Sequence, residues 1–163
     1  YSVGDLISNN HLNQEFELCY PSASDNTMSL GDYNGNTNGG DYHVLVIDMS
    51  ATWCGPCQSA ASTVQEIQDF YNTEDFQYIT ILIDDTTGDT VELDEVQFWA
   101  DTFGIETQPV LQGNRDLVDG DPSLGYPISS WPTFIFVDRD LSIFWGIYGY
   151  SEEYLKMVIE DML

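Results

Sequence analysis

The sequence predicts an α/β fold in which a mixed central sheet is covered by helices on both faces. Nearly continuous apolar runs at 42–48 and 77–84 are typical of central strands that are buried on both sides. Apolar residues at helical spacing over 56–71 and 91–103 indicate a helix after each of these strands. Alternation of strands with helices places the strands side by side in one sheet, which gives the fold class.

The segments before and after these elements are less regular. Polar and apolar residues alternate over 14–18, which predicts a strand in an N-terminal edge hairpin. The stretch 21–41 is rich in Ser, Asp, Asn and Gly and predicts a loop. Gly104 is expected to end the second helix, and 105–130 should be irregular apart from a short strand at 110–111.

The C-terminal part of the sequence predicts a hairpin followed by a helix. Apolar residues over 133–148 indicate two strands that turn at 138–140. Ser151 is a suitable N-cap for the final helix. Glu152 and Glu153 follow it in the first turn, where the helix dipole favours negative charge.

The charge balance excludes two classes of partner. Arg115, Arg139 and Lys156 are the only cations against 28 carboxylates, so the net charge is −25. Such a surface repels nucleic-acid phosphates and anionic membranes. It fits adaptation to high salt or an acidic docking face for a basic partner. The carboxylates run from Asp5 to Asp161 rather than forming a tail, which favours salt adaptation.

No apolar run approaches the ~18 residues that a membrane span requires. The chain opens at Tyr1 and not at Met, so we expect that a preceding segment has been removed. A signal peptide or a lipid anchor would have stood in that segment.

Cys54 and Cys57 have the spacing of a redox-active pair at the start of a helix. A sulfur at that position meets unpaired backbone N–H groups, which stabilise the nucleophilic thiolate. The second sulfur, one turn later, can attack a mixed disulfide and release the partner. Gly55 leaves the approach to Cys54 open, and Pro56 loses no hydrogen bond in the first turn.

A zinc site and an inert structural disulfide are the alternatives for this pair. Zinc needs about four ligands, and no second Cys pair exists. His11 and His43 remain, and His43 is expected to be a structural histidine beside the core. We therefore expect no metal. Cys19, the third cysteine, is expected to be a small buried residue on a strand.

The sequence resembles the thioredoxin superfamily, and within it the TlpA/ResA-like extracytoplasmic redoxin domains. The segment IDMSATWCGPC at 47–57 is similar to the active-site stretch of thioredoxins. The opening Val-Gly-Asp at 3–5, the helix and Pro-Val-Leu within 98–111, and WPTFIFVD at 131–138 resemble the TlpA/ResA-like branch. The resemblance implies one thioredoxin-like domain over 1–163. It consists of an N-terminal β extension (1–41) and a core (42–163) with an insertion at about 88–127.

The resemblance also implies roles for individual residues. Cys54 would be the attacking thiolate and Cys57 the resolving one. Asp48 would be the buried acid that exchanges a proton with Cys57, and burial should raise its pKa. Pro132 would be a cis-proline beside the disulfide. Trp131 before it departs from the family, because it is larger than the small or β-branched residue usual there, and its bulk should narrow the range of substrates.

Four other residues also depart from the patterns of related families. Thr80 and Ile81 occupy the region where thioredoxins place a lysine near the buried acid, so Asp48 should be harder to ionise. Ala60 stands where many TlpA/ResA-like members carry a glutamate. Ala51 stands where peroxiredoxins need a threonine, which argues against a peroxidase.

The function implied is a thiol–disulfide oxidoreductase that reduces disulfides of extracytoplasmic partner proteins. Its partners would be a disulfide-containing protein, held near Trp53, Gly55 and Pro56 as well as Trp131 and Pro132, and a thiol–disulfide electron donor. No cofactor beyond the Cys54–Cys57 disulfide is expected, and the chain is expected to be a periplasmic or secreted monomer. The alternatives are a disulfide oxidase or isomerase, and a non-catalytic module that binds a peptide.

Overall fold

The computed structural model describes residues 1–20 (the backbone alone for 17–20), 27–34, 43–72, 75–118, 126, 128 and 130–163. A mixed sheet forms the centre of this part of the chain, with strand order β2-β1-β5-β4-β3-β6-β7. The elements, in chain order, are α1 (Asn9–Leu12), β1 (Phe16–Tyr20), β2 (Thr27–Met28), a 3-10 helix (Leu30–Tyr33), β3 (Val44–Ala51), α2 (Gly55–Ala61), α3 (Val64–Phe70), β4 (Phe76–Asp84), α4 (Leu93–Phe103), β5 (Val110–Gln112), a second 3-10 helix (Arg115–Leu117), β6 (Thr133–Asp138), β7 (Ile143–Tyr148) and α5 (Glu152–Met162).

Strand β3 lies inside the sheet and is buried along its whole length. It runs parallel to β4 and antiparallel to β6. β4 in turn pairs with β5 in parallel. The predicted central strands, the C-terminal hairpin and the short strand at 110–111 are therefore confirmed.

Two hydrophobic clusters occupy the two faces of the sheet. Alternate residues of β3 belong to different clusters because side chains alternate across a strand. Helices α2 to α5 contribute to the first cluster, which includes Val46, Cys54 and Cys57. The second contains Leu45 and Ile47 and is covered by the N-terminal segment and the 3-10 helices, with α1 packed against it through Leu12.

The single helix predicted over 56–71 is wrong, because the structure divides it into α2 and α3. Ser62 and Thr63 interrupt it, and their hydroxyls donate to the carbonyls of Ser59 (2.7 Å) and Ala60 (2.9 Å). Side chains that bond to preceding carbonyls in this way compete with the regular helical pattern and bend a helix.

The loop predicted over 21–41 is wrong for its middle part. β2 pairs with β1 there, and the 3-10 helix follows with Leu30 fully buried. Ser29 and Asp32 form a capping box that fixes the start of this helix. The predicted strand at 14–18 lies two residues later, and the other parts of the predicted loop, 21–26 and 35–41, fall outside the described residues.

The predicted helix ends are confirmed for α4 and α5. α4 ends at Gly104, whose φ of 64° places it in the left-handed region that glycine adopts without strain. The Ser151 side chain caps α5 by accepting a hydrogen bond from the backbone N–H of Tyr154.

Candidate active site

The two cysteines lie where the chain passes from β3 into α2. Cys54 is the N-cap residue of α2, and the backbone N–H of Cys57 donates to the Cys54 Sγ at 3.2 Å. The two residues form a disulfide, with their Cα atoms 5.2 Å apart. Pro56 occupies the first turn of the helix, where a missing N–H costs no internal hydrogen bond.

The two sulfurs differ in their access to a partner. Cys57 is fully buried, whereas Cys54 retains 4% exposure at the surface end of the pair. A Cβ added to Gly55 would meet no atom within 4 Å, so the space beside Cys54 is open. Trp53 is 50% exposed on the same turn. A partner can therefore approach Cys54 more readily than Cys57.

Asp48 is buried on the face of the sheet that carries the cysteine pair. Its position on β3 has the same parity as Val44 and Val46, which belong to the cluster that contains Cys57. Ser50 Oγ donates to Asp48 Oδ1 at 2.6 Å, and the Tyr78 hydroxyl donates to Oδ2 at 2.9 Å. Burial raises the pKa of Asp48 from 3.8 to about 6, although both hydrogen bonds act in the opposite direction.

Ser50 and Tyr78 are hydrogen-bond partners of Asp48 that sequence reasoning missed. Ser50 could have been found, because residues two apart on a strand share a face. Tyr78 depends on the register that pairs Asp48 with Thr80 across β3 and β4, which no local pattern reveals. Burial raises the pKa of Tyr78 well above its ordinary value, and the Asp48 carboxylate raises it further, so Tyr78 acts as a neutral donor.

Trp131 and Pro132 immediately precede β6, and the peptide bond between them is cis. The register that pairs Met49 with Thr133 brings this segment beside the end of β3, from which the cysteine turn starts. The Pro132 carbonyl accepts a hydrogen bond from the backbone N–H of Gly149 at 2.9 Å. Trp131 is half-buried and packs against both hydrophobic clusters.

An ion pair between a buried carboxylate and a largely exposed arginine lies behind the cysteine turn and was not anticipated. Asp84 is fully buried at the end of β4, and Arg115 donates to it through Nε at 2.8 Å and through Nη2. The Asp84 carbonyl also accepts from the backbone N–H of Thr52 at 2.9 Å. Asp84 therefore connects the segment after β5 to the residues that precede Cys54.

The described residues contain no group of three or more His, Cys, Asp and Glu side chains that could hold a metal ion. His11 stacks on Tyr126 and contacts the Tyr1 hydroxyl through Nδ1 at 2.6 Å, and burial lowers its pKa. His43 precedes β3 and lies 3.4 Å from Arg139 Nη1. The Cys19 side chain lies outside what the structure describes.

The fold and the cysteine pair together define a thioredoxin-fold protein with a redox-type Cys-Gly-Pro-Cys motif. The family model for thioredoxin matches residues 32–116, about half of the chain, and the chain belongs to the thioredoxin family. The match includes Cys54, Cys57 and Asp48 and ends before Trp131.

Curated relatives resemble a short part of the chain. Thioredoxin-1 of Drosophila melanogaster is 38% identical over 46 residues, 28% of this chain and 43% of that protein. Thioredoxin-1 of Saccharomyces cerevisiae is 34% identical over 53 residues, 32% of this chain and 48% of that protein. The chain thus spans about half the length of the curated relatives that it matches.

Solved structures share the fold over almost the whole chain. A secreted Mycobacterium tuberculosis disulfide oxidoreductase covers 94% of this chain and 99% of its own, with 13% identity and a TM-score of 0.65. The match to the exposed lipoprotein thioredoxin of Streptococcus pneumoniae covers 92% of this chain and 98% of that protein, with 21% identity and a TM-score of 0.66. The match to a thiol-disulfide isomerase from Corynebacterium glutamicum covers 98% of this chain and 96% of that protein, with 17% identity and a TM-score of 0.66. At these identities the similarity shows the fold.

No helix among the described residues is both long enough and apolar enough to cross a membrane.

Proposed function

We propose that the protein is a thiol–disulfide oxidoreductase that reduces disulfides of extracytoplasmic partner proteins. The observation that carries this proposal is the Cys54–Cys57 disulfide at the start of α2, in which Cys54 retains 4% exposure beside open space at Gly55 and Cys57 is fully buried. This asymmetry supports different roles for the two sulfurs, as a dithiol cycle requires.

In the proposed cycle the reduced protein donates two electrons to the partner. The Cys54 thiolate attacks one sulfur of the partner disulfide, which forms a mixed disulfide and releases the other partner sulfur as a thiolate that takes up a proton. Cys57 then loses its proton and attacks Cys54 Sγ. The Cys54–Cys57 disulfide closes, and the second partner thiol leaves. A dithiol donor restores the reduced pair by the reverse exchange.

Asp48 is proposed as the group that exchanges a proton with Cys57. Its carboxyl group is buried on the same face of the sheet, and a pKa of about 6 lets it both accept and donate near neutral pH. Ser50 and Tyr78 each donate a hydrogen bond to one oxygen of the carboxyl group and so orient it. Asp48 thus accepts hydrogen bonds from two hydroxyl groups in a region where thioredoxins place a lysine.

Two surfaces beside Cys54 are proposed to receive the partner chain. Trp53, Gly55 and Pro56 form one side, where the space next to the sulfur is open. Trp131 and Pro132 form the other, next to the end of β3. The bulk of Trp131 favours a narrow range of partners.

The reducing direction is supported by the Gly-Pro pair between the cysteines, which resembles that of reducing thioredoxins. One structural neighbour is described as secreted and another as an exposed lipoprotein, which supports an extracytoplasmic location. We propose a monomer without a resident cofactor. The domain organisation implied by the family, a core over 42–163 with an insertion at about 88–127, is part of the same proposal.

An oxidase or isomerase is the second candidate, because one structural neighbour is described as an isomerase. The reduction potential of the Cys54–Cys57 couple separates the directions. A value near about −270 mV would indicate a reductase, and one near about −120 mV would indicate an oxidase. A binding module with no redox role would show no turnover of a disulfide substrate such as insulin.

The roles of the two cysteines can be tested by trapping. Cys57→Ser should accumulate mixed disulfides with insulin, visible on non-reducing gels, because nothing resolves the Cys54 adduct. Cys54→Ser should form none and should lose turnover, whereas the control Cys19→Ser should keep it. Normal turnover by Cys57→Ser, or adducts formed by Cys54→Ser, would contradict the assignment.

A further inference from the structure

A groove lies next to the cysteine turn, between that turn and helix α4. We call it the α4 groove. It has a volume of about 300 Å³ and is lined by Thr52 and Gln58 from the cysteine turn and α2, and by Glu95, Phe98, Trp99 and Thr102 from α4. Thr52 stands two residues before Cys54, so the groove adjoins the start of the cysteine turn, although Cys54 itself does not line it. Neither Trp131 nor Pro132 lines it.

The groove presents aromatic surface without an apolar partner. Phe98 is 72% exposed at its rim, although it is a large hydrophobic side chain on a regular helix. Trp99 forms part of the wall and packs edge-on against Phe103, with ring centroids 4.7 Å apart. Exposed aromatic surface beside a reactive centre is suited to bind an apolar side chain of a partner.

Two polar atoms at the groove lack hydrogen-bond partners among the described residues. The Trp99 indole Nε1 and the Thr52 Oγ1 are both buried and unpaired. Trp99 itself is only 4% exposed. An indole N–H can only donate, whereas a hydroxyl can donate or accept. Because both atoms are buried within the wall, they do not by themselves select the occupant of the groove.

The charge around the groove selects the sign of its occupant. α4 carries Asp94, Glu95 and Asp101 and no cation. Glu95 lines the groove and Asp94 adjoins it in the first turn of the helix. Lys or Arg on the occupant complements this face, whereas Asp or Glu is repelled.

We propose that the α4 groove binds the segment that flanks the reactive cysteine of a disulfide-bearing partner, and that it selects an apolar residue next to Lys or Arg. This inference rests on the proposed function and gives it a substrate class. In this proposal the acidic residues of α4 contribute to binding of the partner, in addition to any role in salt adaptation.

Binding and turnover can be tested separately with two synthetic peptides. Each carries one cysteine, flanked by Phe-Lys in the first and by Phe-Glu in the second. Their disulfide dimers measure turnover, and their Cys→Ser analogues measure affinity by calorimetry without any redox step. The Phe-Lys analogue should bind at least about tenfold more tightly than the Phe-Glu analogue.

Matched variants locate the effect in the groove. Phe98→Ala should weaken binding of the Phe-Lys analogue about tenfold, because truncation of an interface aromatic commonly costs this much. The control Phe70→Ala should leave it unchanged, since Phe70 is 71% exposed on α3, away from the groove.

Glu95→Gln should reduce the preference for Phe-Lys over Phe-Glu about threefold, as for a partly exposed ion pair. The control Glu153→Gln removes one charge from the first turn of α5 and should not change the preference. Melting curves confirm that each variant is folded.

Equal affinity of the two analogues, or equal losses in the groove variants and their controls, would overturn the groove assignment even if both dimers were reduced. Absence of turnover with selective binding intact would overturn the proposed redox function and leave the groove standing. The two failures are therefore distinguishable.

Discussion

Replacement of Asp48 by Asn should stabilise the protein at neutral pH and have no such effect in acid. The structure buries this carboxyl group, and burial raises its pKa from 3.8 to about 6. Because the folded state binds the proton more tightly than the unfolded state, stability falls as pH rises from 4 to 6 and then stays low. The difference between the two pKa values, at about 1.4 kcal/mol per pKa unit, corresponds to about 3 kcal/mol.

Asn keeps the shape of Asp48 and remains neutral at every pH. The hydroxyls of Ser50 and Tyr78 can rotate to bond to the amide, so the variant should lose little in hydrogen bonding. At pH 8 we expect Asp48→Asn to be more stable than the parent protein by up to about 3 kcal/mol. Below pH 4 the gain should vanish, because the Asp48 carboxyl group is then neutral in both states.

The assay is urea unfolding of both proteins, with the Cys54–Cys57 disulfide closed, at pH 4, 6 and 8. All other carboxylates are common to the two proteins, so their titration cancels in the difference. A stability difference that stays constant across this range would refute the reasoning, since it would show that Asp48 carries no raised pKa.

Tyr78→Phe tests the same pKa of Asp48 by a change that should raise it further. It removes the hydroxyl that donates to Asp48 Oδ2, a bond that lowers the pKa of Asp48. The pKa of Asp48 should therefore rise further, and the pH dependence of stability should extend above 6. A profile that moved toward lower pH would show that Tyr78 does not stabilise the charged carboxylate.

Two further predictions concern the charges of the chain. Arg115→Met should lower the free energy of unfolding by about 2 kcal/mol at pH 7, because it leaves the buried Asp84 carboxylate unpaired; the loss is smaller than for a fully buried pair since the Arg115 side chain is 64% exposed. Lys156→Met, which breaks the partly exposed pair with Glu152, is the control and should cost less than about 1 kcal/mol; equal losses in urea unfolding would contradict this account. Raising KCl from 0.01 to 1 M should raise the melting temperature, since the Debye length falls from about 30 Å to about 3 Å and screens the repulsion within a chain of net charge −25. A flat melting temperature would favour a basic docking partner as the reason for the acidic surface.

The local patterns of the sequence determined most of the sheet and the position of the cysteine pair. Apolar runs predicted β3 and β4 because strands buried on both faces are largely apolar, although Asp48, Ser50 and Asp84 are also buried on them. Gly104 and Ser151 marked helix ends because capping depends on the few residues around the terminus. The Cys-Gly-Pro-Cys spacing likewise needs only one helical turn to bring its sulfurs together.

Local signals also gave wrong predictions in two segments, at the break between α2 and α3 and in the stretch 21–41. The apolar repeat over 56–71 runs through Ser62 and Thr63, whose hydroxyls bend the chain into two helices. The polar composition of 21–41 hid Met28 and Leu30, two buried residues that belong to the second cluster. Two isolated apolar side chains are too weak a signal in a stretch dominated by loop-forming residues.

The surroundings of the site were decided by tertiary structure alone. Tyr78 reaches Asp48 from 30 positions away because β3 and β4 pair in a particular register. Arg115 reaches Asp84 in the same way, 31 positions along the chain. The α4 groove exists because α4 packs beside the cysteine turn. Sequence patterns report the periodicity of one element, whereas register and packing bring residues of different elements together, and these contacts set the charge state of the acid and the surface offered to a partner.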